Sequence, residues 1–449
     1  MIEVLSVAEM AEVDARAKET IDTLIDRAGA AVARAALDVL GGGYGMRVTV
    51  IAGKGNNGAD GRVAAKRLAR RGVRVRVSDA AEAIDAVHGA DVVIDAAYGT
   101  GFRGKYRAPD IDGAFVLAVD IPSGVEGDTG CAALGAVWAD ATVTFGALKP
   151  GLLLAEGPAR AGLTTLARIG LDVSGAQTHL VENTDIPAWV PLRPRDAHKW
   201  ASAVCVVGGS PGLFGAPGLA AAAAHRAGAG NVRLAVPGGV PAGPPKPINA
   251  LGADLPAVGW GPAAVQAAER CHAAVIGPGI GLDPAVLADA AHFVAHATVP
   301  VVVDADALRP EVVRAAGRRA PLVITPHDAE FTRLAGAPPG DRRIDDVCAL
   351  AKELDATVLL KGPTTIVGSP DGRSLLVMAG DERLATGGTG DVLAGMIAAF
   401  CARGAAPFEA AAAAAQVHGT AASLASREGM VASDLVALIP SALELVRGG

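Results

Sequence analysis

Aspartates that close short apolar runs are the residues of this chain best equipped to move protons. VVIDAAYGTGFRGK reaches Asp95, LAVDIPSGVEGDTG reaches Asp120 with Ser123 just beyond, and ATGGTGDVLAG sets Asp391 at the opening of a helical stretch. A single aspartate in such a place is more often a loop or helix cap. Several at strand ends of one parallel sheet are different, because ligands bind beyond the carboxyl ends of those strands. Asn57, Asp95, Asp120 and Ser123 are therefore expected to converge. Oxygen ligands without Cys or His suit a hard cation.

Gly53 to Gly61, GKGNNGADG, lies between a strand-like and a helix-like stretch and satisfies GxGxxG, with Asp79 closing the next strand. A hydride-transferring dehydrogenase is thus a reading to weigh. The variable positions hold Asn56 and Asn57, with Asp60 following. Those side chains bind polar groups or a cation rather than clear space for a pyrophosphate, and the Lys-Ser/Thr pair of a P-loop is missing.

In Ala385 to Gly395 the glycines free backbone N–H groups at a helix amino terminus, an anion hole for a phosphate gaining charge. Asp391 is placed to take a proton from a hydroxyl nucleophile. Lys361-Gly362-Pro363-Thr364-Thr365 offers a cation and hydroxyls to a nucleotide. Gly277 to Gly281 and Thr325 to Glu330 also follow strands, where turn and capping chemistry competes with binding. Asp304 and Asp306 are either caps or magnesium contacts.

Residues 7 to 40 have helical spacing and stop at Gly41-Gly42-Gly43. Beyond them Val/Ile/Ala runs alternate with amphipathic stretches such as RVAAKRLARRG and DAAEAIDAV, the pattern of a parallel sheet wrapped by helices. Residues 172 to 200 are proline-punctuated and suit a boundary. A second α/β series follows, with a hairpin turning at Pro370-Asp371-Gly372 and three Ala/Leu-rich helices at the end. The expected domains are 1–185 and 186–449.

The chain has 449 residues, enough for two domains, and is 51% hydrophobic but only 3% aromatic. That composition excludes disorder. A net charge of −7 argues against binding nucleic acid or anionic membrane through charge, which leaves small ligands as partners. Five scattered cysteines form no CxxC or Cys/His cluster. Glu3, Glu9, Glu12 and Asp14 stand where a signal peptide needs positive charge, and the apolar blocks are too short to span a bilayer, so a cytoplasmic protein is expected, as is a homo-oligomer.

GKGNNGADG, VIDAAYGTGFRGK and AVDIPSGVEGDTG together resemble the NAD(P)H-hydrate epimerase domain. GGSP, GAPGLA, RAGAGNV, IGPGIG, VVDADAL, TPHDAEF, LKGPTT and ATGGTGDVLAG resemble the ADP/ATP-dependent NAD(P)H-hydrate dehydratases of the ribokinase-like superfamily. The resemblance covers nearly the whole chain, in order. It implies two three-layer αβα domains, the first Rossmann-like and the second ribokinase-like.

For the first domain it implies that Asn56, Asn57, Gly58, Ala59, Asp60 and Gly99, Thr100, Gly101, Phe102, Arg103, Gly104, Lys105 bind hydrated NADH or NADPH. Asn57, Asp95 and Ser123 would hold potassium, and Asp120 would contact the substrate as acid/base. For the second it implies that Ala216, Gly279 and His327 bind the hydrate, and that Lys361, Gly362, Pro363, Thr364, Thr365 and Gly390 bind ADP or ATP with Mg²⁺. Asp391 would be the base. The chain departs from the common pattern at Ala59, Trp200, Ala203, Asp328-Ala329 and Asp381 to Leu384.

The chemistry suits those residues. In the hydrate, water has added across C5=C6 of the nicotinamide ring and left a poor leaving group. Asp391 would deprotonate it for attack on a terminal phosphoryl group, and the ring nitrogen would then expel phosphate. Rivals are a ribokinase-like kinase of a vitamin alcohol with a fused nucleotide-binding domain, a regulatory nucleotide-binding protein, and the dehydrogenase already named. Retention of Asp120 and Asp391 speaks against the second, and no second-domain catalytic His or Lys presents itself for the third.

Overall fold

The computed structural model describes residues 1–82, 85–104, 106–239 and 249–448. The chain divides into two compact units, Ile2–Thr178 and His179–Gly449, the latter with Met1.

In the first unit the predicted long helical segment is two helices, α1 (Val7–Ala15) and α2 (Ile21–Leu40). Thr20 caps the second, and Gly41 ends it in the left-handed region at φ 65°. Strands β1 (Arg47–Ala52), β2 (Arg74–Asp79), β3 (Val92–Ala96), β4 (Phe115–Val119), β5 (Ala141–Phe145) and β6 (Leu163–Ala167) form one sheet. Its order is β2-β1-β3-β4-β5-β6, every pair parallel.

Helix α3 (Asn56–Ala69) packs with α2 on one face, where Val48, Val50, Val92 and Ile94 share a core with Leu24, Val32 and Leu68. Alternate residues Ile51 and Val93 point to the other face, which Val87, Tyr106 and Ile111 cover. The amphipathic stretch DAAEAIDAV makes no helix among its described residues; Ala86–Val87 instead pairs as a short strand with Asp110–Ile111.

In the second unit a sheet runs through β7 (Ala203–Val207), β8 (Asn231–Pro237), β9 (Leu251–Leu255), β10 (Ala273–Ile276), β11 (Val301–Val303), β12 (Leu322–Ile324), β13 (Thr357–Leu360), β14 (Thr365–Gly368) and β15 (Ser374–Val377). The spatial order is β15-β14-β13-β12-β11-β10-β7-β8-β9. Pairs from β13 to β9 are parallel, and the predicted hairpin adds β14 and β15 antiparallel.

Helices α4 (Gly215–Arg226), α5 (Asp328–Ala335), α6 (Thr389–Ala402), α7 (Pro407–Leu424) and α8 (Ala432–Val446) flank it. Gly395 lets α4 and α6 approach closely: a Cβ there would sit 2.1 Å from the Ala220 carbonyl oxygen. Residues 172 to 200, expected to be irregular, carry a short strand, Thr178–Leu180, and a helical turn, Ile186–Trp189. Among the described residues no helix is long and apolar enough to cross a membrane.

Candidate functional site

Each unit gathers polar residues at the carboxyl edge of its sheet. In the first, a cavity of about 640 Å³ is lined by Asn56, Asn57, Asp60, Gly99 to Arg103, Asp120 and Lys149, among others. Asn56 to Asp60, expected to lie in a loop, form the first turn and a half of α3. Gly58 lets that turn sit down on the strand end, because a Cβ there would lie 1.9 Å from the Gly53 carbonyl oxygen. Ala59, the residue that departs from the common pattern, is half-buried on the helix.

Asp120 follows β4 in the left-handed region, at φ 66°, a conformation costly for a residue with a Cβ. Its N–H donates to the Val143 carbonyl at 2.7 Å, which fixes the residue against β5. Lys149 Nζ donates to Asp120 Oδ1 at 2.5 Å and to Thr144 Oγ1 and the Phe145 carbonyl at 3.0 Å each. Thr144 donates to the same carboxylate oxygen at 3.1 Å. Lys149 is 2% exposed and its donors are all engaged, so it anchors Asp120.

Asp60 is also buried, and its carboxyl is pushed up to about 8, first by burial and then by the charge of Asp120, against Lys149. Asp14, at the exposed mouth, is raised by burial, with Lys149 opposing and Asp120 adding to the shift.

Asp95 and Ser123 meet directly. The Ser123 backbone N–H and hydroxyl donate to the two Asp95 carboxylate oxygens at 2.7 Å each. Burial nevertheless pushes Asp95 up to about 6 against those bonds. Asn57 joins neither by a hydrogen bond. Its amide lies against Gly99, and both Oδ1 and Nδ2 are buried with no partner among the described residues. An orphaned amide oxygen at the start of α3, together with the buried carboxylate and hydroxyl beyond the adjacent strands, is a donor set whose chemistry fits a hard monovalent cation. Lys105 lies outside the described residues.

In the second unit Gly388, at φ 93°, caps α6, and Thr389, Gly390 and Asp391 form its first turn. The preceding segment is pinned: Arg383 pairs with Asp381 and donates to the Ala425 carbonyl at 2.8 Å, and Thr389 Oγ1 donates to the Leu384 carbonyl at 2.8 Å. The departing residues Asp381 to Leu384 thus shape the approach to the glycine turn. The Arg383 hydrogen bond brings the Asp381 carboxyl down to about 2.

Burial pushes Asp391 up to about 7, with Asp304 adding, Lys361 opposing and Asp306 adding further. Lys361 Nζ lies 3.3 Å from Asp304 Oδ1 and 3.6 Å from Glu330 Oε2, and a Cβ on Gly390 would be 3.6 Å from Lys361 Nζ. Thr325 Oγ1 donates to Asp304 at 2.7 Å. Burial works against the Lys361 charge, yet Asp304 and Glu330 outweigh it and hold the ammonium above its usual range.

His327 caps α5: its Nδ1 accepts from the N–H groups of Ala329 at 3.1 Å and Glu330 at 3.4 Å. Gly279 closes on the chain just before α4, with a Cβ there 2.5 Å from the Leu213 carbonyl oxygen, and Ala216 stands in the first turn of that helix. Gly362 and Pro363 are exposed at the hairpin, and Thr365 begins β14. Lys361, Gly390 and Asp391 are therefore gathered, and Gly279 approaches the Ala216 helix.

Lys149, Asp14, Asp304 and Glu330 were not singled out for these roles by the sequence. Lys149 carried a signal, a single charge within VTFGALKPGLLLA, since a charge in a buried segment has to be paired. A half-buried carboxyl that titrates near pH 7 beside helix N–H groups can accept a proton from a hydroxyl while those groups hold phosphate.

Residues 204–443 match the family model described as NAD(P)H-hydrate dehydratase, and residues 21–84 and 78–151 match that of the YjeF-related protein N-terminus. The chain is 35% identical to the bifunctional NAD(P)H-hydrate repair enzyme Nnr of Salinibacter ruber, over 93% of this chain and 91% of that one. It is 39% identical to Nnr of Mycobacterium tuberculosis, over 83% and 82%. Among solved structures, the ADP/ATP-dependent NAD(P)H-hydrate dehydratase from Bacillus subtilis co-crystallised with ATP/Mg²⁺ is 28% identical, with a TM-score of 0.52, covering 59% of this chain and 97% of that one.

Proposed function

This chain belongs to the family of bifunctional NAD(P)H-hydrate repair enzymes, and we propose that its two units carry the two repair steps on separate sites. The first unit epimerises R and S hydrates of NADH and NADPH; the second dehydrates the S form with consumption of ADP or ATP. Family membership disfavours the vitamin-alcohol kinase, whose phosphorylated product would persist, a distinction the glycine turn alone does not make.

The observation that carries the reading is Asp391, a half-buried carboxyl pushed up to about 7 in the first turn of a glycine-opened helix. A base of that strength takes the ring hydroxyl proton at neutral pH, as the oxygen attacks the terminal phosphoryl group. The N–H groups of the turn and Lys361 hold the charge that develops. Mg²⁺ arriving with the nucleotide would neutralise phosphate charge, held by one or two carboxylates plus phosphate oxygens. His327, Gly279 and Ala216 receive the hydrate, and Lys361 to Thr365 with Gly390 receive the nucleotide.

In the first unit Asn56 to Asp60 and Gly99 to Lys105 hold the hydrate, and Asp120 is the acid/base. Asn57, Asp95 and Ser123 would hold potassium, which would neutralise the buried Asp95 charge and satisfy the Asn57 oxygen. The reading places the enzyme in the cytoplasm with its cofactor pool.

The test starts from a mixture of NADH hydrate epimers with the full chain, potassium, Mg²⁺ and ADP or ATP. Both epimers should disappear by chromatography while the reduced-nicotinamide absorbance rises. Accumulation of a stable phosphorylated hydrate, or no gain in absorbance, would refute the dehydratase assignment.

A further inference from the structure

We propose that Asp60 is the proton donor of the epimerase cavity, paired with Asp120 as acceptor, so that two carboxyls on different elements expel and re-add the ring hydroxyl. This rests on the epimerase reading of that cavity and assigns Asp60 a role beyond holding substrate.

Three observations support it. Asp60 is 7% exposed, lines the same cavity as Asp120, and has no hydrogen-bond partner among the described residues, so its free carboxyl faces the cavity. Asp120, by contrast, is ion-paired with Lys149 and bonded by Thr144. The strand leading into the Asp60 helix and the strand ending at Asp120 are separated in the sheet by one strand, β3, hence by roughly 10 Å between their ends, so the two carboxyls enter the cavity from different elements. Lys149 cannot serve as the donor, because its three N–H groups are already given to Asp120, Thr144 and the Phe145 carbonyl.

The titration of Asp60 agrees with the geometry. Burial, then Asp120, push Asp60 up to about 8, against Lys149, so it carries its proton at neutral pH. Asp14, Lys54 and Arg103 are the other charged groups lining the cavity. Two carboxyls whose surroundings separate their roles are the usual arrangement for acid and base in one site.

The hydroxyl sits on C6, next to ring nitrogen N1. Asp60 gives its proton to the hydroxyl oxygen as the C6–O bond breaks. The oxygen keeps the bonding pair and leaves as water, while the N1 lone pair forms N1=C6 and leaves a planar cation. Water then adds to the other face of C6, the N1=C6 pair returns to N1, and Asp120 takes the proton released by that water. One proton has left Asp60 and one has reached Asp120. The reverse turnover, or exchange with solvent, resets both.

The experiment takes one purified epimer of NADH hydrate, the full chain in potassium buffer without nucleotide, and water enriched in ¹⁸O. The wild type should invert the epimer faster than the spontaneous rate and install one ¹⁸O per inversion. Asp60→Asn should slow inversion on the order of 10²- to 10⁴-fold with KM changed only a few-fold. The wild-type loss of rate above about pH 8 should be missing in that variant. The first unit's transition in its melting profile reports that it is folded, and Asp60→Glu should recover part of the rate.

Inversion without label, or Asp60→Asn within threefold of wild type while Asp120→Asn is inactive, would overturn the donor role and leave the epimerase reading standing. Loss of rate in Asp14→Asn instead of Asp60→Asn would also overturn it. A wild type no faster than solvent would overturn both.

Discussion

Replacing Asp391 by Asn should make the second unit more stable and less active at once, because the base is held in a place that opposes its charge. Its carboxyl lies at about 7 in the fold against an ordinary value of 3.8, chiefly through burial and then through Asp304. Between about pH 4 and pH 7 the folded chain therefore holds a proton that the unfolded chain has lost. A carboxyl raised in this direction contributes stability that decreases as pH rises through that window and levels off above it.

Each pKa unit is worth about 1.4 kcal/mol, and about two of the three units fall between pH 5 and pH 8, which sets a ceiling of ~3 kcal/mol. Asp391 is not fully enclosed, and with that screening a change of about 1 to 2 kcal/mol is expected. Asn carries no charge at any pH. The stability difference between Asp391→Asn and wild type should accordingly widen by that amount from pH 5 to pH 8, measured by calorimetry on the full chain, following the transition of the second unit. Dehydration should be abolished while nucleotide affinity stays within a few-fold, since the phosphate-binding N–H groups are untouched. A stability difference that is the same at both pH values would refute the electrostatic argument, and near wild-type turnover would refute the base.

Lys149→Met leaves Asp120 without its ion-pair partner, so a loss of about 3 to 5 kcal/mol is expected in the first unit's transition, with epimerisation lost and dehydration kept. A loss under about 1 kcal/mol would show that the pair is not structural. Epimerase activity should require potassium and survive zinc chelators, because Asn57, Asp95 and Ser123 offer oxygen alone; equal rates in potassium-free buffer count against the site. Gly390→Ala adds a Cβ at ordinary contact distance, 3.6 Å from Lys361 Nζ and 3.8 Å from Asp304 Oδ2, so the chain should fold with an unchanged melting temperature. The nucleotide KM should rise at least about tenfold, a cost of about 1.4 kcal/mol, and an unchanged KM would move the nucleotide away from this turn.

Much of this protein is written locally in its sequence. Gly41 after a helical run, Asp371-Gly372 in a hairpin and the glycines before Asp391 act on backbone angles within a few residues, so their effects are readable in order. The motifs at Asn57, Asp95, Asp120 and Asp391 are legible for the same reason, each lying at a strand end or helix start that the hydrophobic period marks out. DAAEAIDAV shows where that period misleads, since among its described residues Ala86–Val87 pairs as a short strand and no helix forms.

Only the tertiary structure decided which charges meet. Lys149 reaches Asp120 across 29 residues and Lys361 reaches Asp304 across 57, separations that cross several elements, so no local period relates the partners. Nor does the sequence set the proton affinity of Asp60 and Asp391. That is governed by how much water the completed fold removes from each carboxyl and by which charges it leaves nearby.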